Sequence, residues 1–306
     1  MANSVSADLK RAVIINEAMK AFKKRLLPLG LFSTAFNSVP LEGTNEIVVP
    51  YFPLESSASK NFNGTYEFGD GNIGSKKITI NKRKYQSLKF TSEELARQPY
   101  FDLVAIGQAK GAKLAEDVLI DILSVITAAN FGDAVATSTA ANFDVDDVID
   151  IRTACAQANW PEMNRGMILD SSYIGNLQKS IVSQGGAATF GFTPLGELPT
   201  LQGFRLAEFN LTPNNSENLV GFVVNPSAIL VGFSPIAPAP SVMKTLSEYS
   251  HISDPDTGLT LEYRAWGDAD TDTAKEVIEC NYGFAVGETA ALKRIVSAPV
   301  STESNG

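Results

Sequence analysis

The chain has 306 residues, enough for one large domain or two to three small ones, with 44% hydrophobic and 19% charged residues. That is the balance of a packed chain rather than a disordered one. Thirty-four acids against 25 bases give a net charge of −9, which repels a phosphate backbone and argues against a dedicated nucleic-acid reader.

His251, Cys155 and Cys280 are the full complement of histidine and cysteine. They are too few and too scattered for a four-ligand zinc cage, and no cofactor is implied. Two cysteines in a chain of this length are expected as free thiols in a reducing compartment. Lys10 and Arg11 are followed by an apolar run that ends at Asn16 and Glu17, so no secretory core is read there. The apolar stretch 118–129 is interrupted by Asp121, and 229–240 contains three prolines, so no membrane span is expected.

Residues 7–27 read as an amphipathic helix with Ala12, Ile15, Met19, Phe22 and Leu26 on one stripe. It is either an ordinary surface helix, an arm that docks on a partner, or a membrane-surface helix. Pro28 and Gly30 end it. A strand over Glu46–Tyr51 follows. From Ser56 to Gly74 small and polar residues dominate, then Lys76–Phe90 alternates like a strand. A hairpin with arms of about 15 residues reaches roughly 50 Å at about 3.3 Å per residue. Such a two-stranded feature is marginal alone in water, so it expects a supporting surface.

Between Asp102 and Ala129, Val104, Gly107, Gly111, Ala115, Val118, Ile122 and Val125 form one stripe of a helix roughly 40 Å long. Gly107 and Gly111 each cost about 1 kcal/mol of helix propensity, and their place on the apolar stripe predicts close approach by another backbone. The Ala/Thr/Ser-rich run 131–141 reads as a boundary. Asp144 is expected to cap a helix reaching Ala158. A buried strand at Met167–Leu169 and a helix 173–182 capped by Ser171 or Ser172 come next, then a glycine-marked loop over 185–196. Strands are expected at 204–209 and 219–224, an apolar helix or turn at 227–233, and long strands at 259–266 and 275–286. The order describes an α+β fold, not a doubly wound repeat.

Motifs with chemical associations are weak. Gly69–Gly74 matches GxGxxG, yet a strand-like sequel replaces the helix N-terminus that phosphate binding needs. Asp268, Asp270, Asp272 and Glu279 imitate a calcium loop, but Thr273 stands where the sharp turn needs glycine. Ser57–Lys60 and Ser241–Lys244 both fit SxxK without companion motifs. His251 is expected in a polar, exposed turn. No catalytic constellation results.

Charge is unevenly distributed. Segment 1–25 sums to +4 and segment 76–89 to +6, leaving −19 for the rest of the chain. Projecting basic segments on an acidic body would attract an identical neighbour. Lys76, Lys77, Lys82, Arg83, Lys84, Lys23, Lys24 and Arg25 are therefore the candidate inter-subunit contacts, the alternative being a merely solvated face.

Taken together, the elements resemble the major capsid proteins of tailed bacteriophages, the Hong Kong 97-like fold. Local sequence adds Thr91-Ser92-Glu93-Glu94-Leu95 before the long helix, Asn225-Pro226-Ser227-Ala228-Ile229, and Glu279 to Val286 in the closing strands. The resemblance implies an N-terminal arm (1–40), a P-domain strand (41–54), an E-loop (55–90), a spine helix (91–135), an A-domain (136–256) and closing P-domain strands with a tail (257–306). It also implies a non-enzymatic protein assembled in the host cytoplasm, whose hexamers and pentamers form an icosahedral virion shell. DNA would be enclosed without sequence-specific binding, and no membrane would be involved. No long segment precedes the arm, so a separate scaffolding protein is expected, with a portal. The alternatives are an encapsulin-like compartment shell and, from a different class, a carboxylate- or Ser/Lys-dependent hydrolase.

Overall fold

The computed structural model describes residues 7–36, 45–51, 61–66, 74–97, 100–183, 200–254 and 258–298. The glycine-marked loop at 185–196, Ser57–Lys60 of one SxxK match and Gly69–Ile73 of the GxGxxG match lie outside the described residues.

The first described element is helix α1 (Ala7–Arg25), followed by a 3-10 turn at Leu27–Leu31. Strands β1 (Ser33–Phe36), β2 (Glu46–Tyr51), β3 (Gly74–Thr79) and β4 (Lys82–Thr91) come next. Helices α2 (Ser92–Arg97), α3 (Tyr100–Leu123) and α4 (Ala128–Phe131) lead into β5 (Ala134–Ser138), α5 (Val145–Gln157), β6 (Arg165–Leu169) and α6 (Ser171–Ser183). Four strands follow: β7 (Thr200–Leu201), β8 (Phe204–Glu208), β9 (Leu219–Val224) and β10 (Ile229–Phe233). The short helix α7 (Pro240–Met243) precedes β11 (Glu248–Ser253), β12 (Thr260–Asp268), β13 (Thr273–Val286) and β14 (Leu292–Ser297).

The two long helices meet through glycine. A side chain at Gly107 would stand 2.5 Å from the Ile14 carbonyl oxygen, and one at Gly111 would collide with the Ala18 backbone. The same step of four residues on both helices makes them parallel, and the backbone approach anticipated from the apolar glycines is made by α1. Ile14, Ile15, Ala18, Met19 and Phe22 of α1 are buried, as is Leu26 just after it, whereas Ala12 is exposed. Helix α1 is therefore part of the main core of its own chain. Helix α3 is buried more widely than one stripe, adding Leu103, Leu114, Leu119 and Leu123, because α1 lies on one flank and a sheet on another.

That sheet has the order β1-β10-β13-β12-β11, with β4 also on β13. Tyr282 pairs with both Phe233 of β10 and Lys82 of β4, so β4 occupies the opposite edge of β13. Its inner face sends Phe90, Leu261, Tyr263, Ile278, Cys280 and Tyr282 toward the helices. The second sheet, β5-β14-β9-β6-β8-β7, packs with α5 and α6 around Phe143, Ile151, Trp160, Tyr173 and Phe204. The two sheets cut across the spans read from sequence. β10 and β11 fall within 136–256 but pair in the first sheet, while β14, within 257–306, pairs in the second.

Several local expectations change. Residues 229–233 form a strand, not a helix or turn, since five apolar residues between Pro226 and Pro235 are flanked by β1 and β13. The run 131–141 contributes β5, held in parallel to β14. Helix α6 starts from Asp170, whose carboxylate accepts the Ser172 N–H at 2.9 Å. A carboxylate serves there better than a hydroxyl, because negative charge also suits the helix N-terminus. Asp144 caps α5 as expected, and Asp147 returns the bond to the Asp144 N–H, completing a capping box.

The largest change concerns the hairpin. β3 does not pair with β4. It pairs antiparallel with β2, from Glu46 opposite Thr79 to Tyr51 opposite Gly74. β4 anneals along β13 from Lys82 to Thr91. The stretch 55–90 is therefore not one two-stranded hairpin, because the ten residues Lys82–Thr91 complete a sheet of their own chain while Gly74–Thr79 pair with β2.

Candidate assembly surfaces

The basic residues are mostly stitched to their own chain. Lys23 reaches Asp254 at 2.9 Å and Arg25 reaches Glu116 at 2.7 Å. Lys76 donates to the Val286 carbonyl at 2.9 Å, and Lys77 lies 3.5 Å from Glu46. Lys82 pairs with Asp121 of α3 at 2.9 Å and sits 4.5 Å above the Phe284 ring. Tyr282 donates to the same Asp121 at 2.8 Å, so one carboxylate ties β4, β13 and α3 together. Arg83 pairs with Glu279 at 2.7 Å. Lys24 and Lys84 are exposed and have no charged partner among the described residues. Lys89, also on β4, is likewise exposed and unpaired.

Behind Arg83 lies a buried polar network. Glu279 also binds Arg264 at 2.6 Å, and Arg264 touches Glu262 at 3.3 Å. Glu262 accepts bonds from the Ile236 N–H at 2.7 Å, from Tyr249 at 3.1 Å and from the Asn281 amide. Burial pushes the Glu279 carboxyl above its ordinary range, with Arg264 and then Arg83 pulling the other way. Burial likewise raises Tyr249, assisted by Glu262. Ile236 is held at both its N–H, by Glu262, and its carbonyl, by Arg264, so the network ties the segment after β10 to the sheet.

The remaining chemical motifs do not converge. Asp268 is neutralised by Lys275 at 2.7 Å, which also holds its carboxyl low, while Asp272 accepts from Ser92. Among the described residues no three metal-binding side chains gather. Ser241 and Lys244 are exposed, on and just after α7, and His251 is exposed on β11. Cys155 and Cys280 are buried free thiols, the former pushed up to about 11 by burial. Gly74 opens β3, so a strand follows the glycines. No described helix is long and apolar enough to cross a membrane.

Large apolar side chains are exposed at several places, Met163 among them, and three of them, Phe62, Tyr66 and Tyr85, fall in the stretch read from sequence as an outreaching hairpin. Residues 61–66, inside the β2–β3 connection, are all exposed. Phe62 is 64% and Tyr66 74% exposed, and their rings lie 4.8 Å apart. Tyr85 on β4 is 60% exposed. The usable sequence signal was two aromatics, four residues apart, in the run Asn61-Phe62-Asn63-Gly64-Thr65-Tyr66.

No protein-family model matches the sequence, and no curated protein does. Solved structures do match. The capsid of the cyanophage P-SCSP1u is 16% identical, with a TM-score of 0.53 over 88% of this chain and 86% of that one. The mature capsid of bacteriophage PhiM1 is 12% identical, with a TM-score of 0.51 over 88% and 86%. The virus-like particle from Pyrococcus furiosus is 13% identical, with a TM-score of 0.51 over 93% and 97%. The chain thus shares its fold with phage capsid subunits, the Hong Kong 97-like fold.

Proposed function

We propose that this chain is the major capsid protein of a tailed bacteriophage. It self-assembles through hexamers and pentamers into the icosahedral shell that encloses double-stranded DNA. The observation that carries this reading is a fold shared with phage capsid structures over 88% of the chain. In this reading α1 ends the arm, 52–73 is the working part of the E-loop, α3 is the spine, and the sheet holding α5 and α6 is the A-domain. The role is structural, not catalytic. An acidic chain of net charge −9 lets packaged DNA lie against the shell without sticking. A separate scaffolding protein, a portal and assembly in the host cytoplasm complete the proposal.

A second reading, a compartment shell around protein cargo, draws on the likeness to the Pyrococcus furiosus particle, which spans 93% of this chain. Size-exclusion chromatography and negative-stain electron microscopy of the purified chain test both. Closed shells support either one, and a monodisperse monomer under all conditions rejects both. Nuclease-protected DNA in particles from infected cells selects the virus; a co-purifying protein cargo without DNA selects the compartment.

A further inference from the structure

Among the described residues, Asn63 is the one asparagine followed by glycine. The pair lies in a bend over residues 63–65, and every residue from 61 to 66 is exposed. Gly64 has a φ of +99°, a conformation that residues with a Cβ rarely adopt, and nothing stands within 4 Å of where a Cβ would be. Among the described residues no hydrogen bond holds the Asn63 amide or the Gly64 N–H. Phe62 and Tyr66 flank the bend, with ring centroids 4.8 Å apart.

That combination is chemically reactive. A side-chain amide carbon and the next backbone nitrogen are spaced to close a five-membered ring, and glycine is the one follower that leaves the nitrogen unshielded. Elsewhere the fold or the follower stands in the way. The Asn215 amide donates to the Leu123 and Ile126 carbonyls at 3.1 and 2.7 Å, and Asn281 is buried. Asn61 is as exposed as Asn63, but Phe62 follows it.

We infer that Asn63 is a self-modifying site, converting in the folded chain to aspartate and isoaspartate with water as the sole co-reactant. The Gly64 nitrogen gives its proton to solvent and attacks the Asn63 side-chain carbonyl carbon. A C–N bond forms there, the bond from that carbon to the amide nitrogen breaks, and the nitrogen takes up a proton and leaves as ammonia. Water then opens the cyclic imide. Opening at the main-chain carbonyl gives isoaspartate, with an extra carbon in the main chain, and opening at the side-chain carbonyl gives aspartate. The net step consumes one water and releases one ammonia, with no oxidation or reduction. Either product sets a new carboxylate between the Phe62 and Tyr66 rings, so one sequence yields chemically distinct copies. The reaction needs a single chain and is independent of the shell reading.

The test incubates the full chain, unassembled, in warm and mildly alkaline buffer, then digests it with chymotrypsin. Cleavage after Phe62 and Tyr66 releases residues 63–66 for mass spectrometry. This fragment is expected to exchange NH2 for OH and to elute as two products, whereas Asn61 converts about tenfold more slowly because its follower carries a side chain. The rate in the native chain is expected within about twofold of that in chain unfolded by urea, since no folded contact has to open first. A native rate tenfold below the unfolded one would mean that the fold protects the bend, and overturns the inference. Gly64→Ala is expected to slow conversion about tenfold with an unchanged melting temperature, because the methyl group shields the nitrogen and resists a positive φ. Undiminished conversion in that variant likewise overturns it.

Discussion

Helix α1 and the β2–β3 connection are the two segments that sequence alone allows to reach outward, and they end in opposite situations. Helix α1 spends its apolar stripe within the chain: Phe22 is fully buried, and Ala18 sits against Gly111. Residues 61–66 bury nothing, although they carry two aromatic rings. The helix supplied close-packed partners for itself through two glycines on α3. Residues 61–66 have no such complement among the described residues, so the Phe62 and Tyr66 rings leave apolar surface available to another molecule. Amphipathic character therefore does not identify the interaction segment here; apolar surface left over after folding does.

The difference is open to direct attack. Phe22→Ala is expected to cost about 3–5 kcal/mol of stability, as a large cavity does in a core that cannot collapse. Chemical denaturation measures it, and a loss below 1 kcal/mol would mean that α1 is peripheral after all. Gly111→Ala follows at about 1–3 kcal/mol, because the new methyl group meets the Ala18 backbone and the helices must separate. A stabilised variant, the normal result of replacing a helical glycine, would show that the helices do not touch there.

Glu279 gives a smaller, pH-dependent effect. Its folded carboxyl titrates above the unfolded value because of burial, so the folded state holds its proton to higher pH. Stability from this group is therefore greatest below the ordinary glutamate range and falls as pH rises through the raised value. Melting temperatures of wild type and Glu279→Gln between pH 4 and 7 should converge toward the acid end. A constant gap would assign the effect elsewhere. The smallest change in stability is expected for the pair Phe62→Ala and Tyr66→Ala, within about 0.5 kcal/mol, since both side chains are exposed. Its melting curve should match wild type while assembly fails, the inverse of the α1 variants.

Individual elements show how far the sequence could be read. The stripes of α1 and α3, the Asp144 cap and the strands at 204–208 and 219–224 follow from local periodicity and capping chemistry. The two glycines of α3 announced a close backbone, because nothing in an isolated helix explains their cost. β10 was ambiguous, since five apolar residues have no periodicity that separates strand from helix. β5 was hidden in an Ala/Thr/Ser run whose pairing with β14 comes from about 160 residues away in sequence. The basic residues were found but not their partners. Lys82 and Arg83 read as surplus charge until Asp121 and Glu279 are brought beside them.

Composition and local pattern were sufficient to establish an acidic α+β chain, two long amphipathic helices and a late pair of long strands. Those properties reside in short windows, where side-chain spacing and backbone preference act directly. Tertiary structure alone decided that β3 joins β2 while β4 joins β13, and which lysines remain unpaired. Strand partnership and charge neutralisation depend on residues tens to hundreds of positions apart, and no local window contains both members of such a pair.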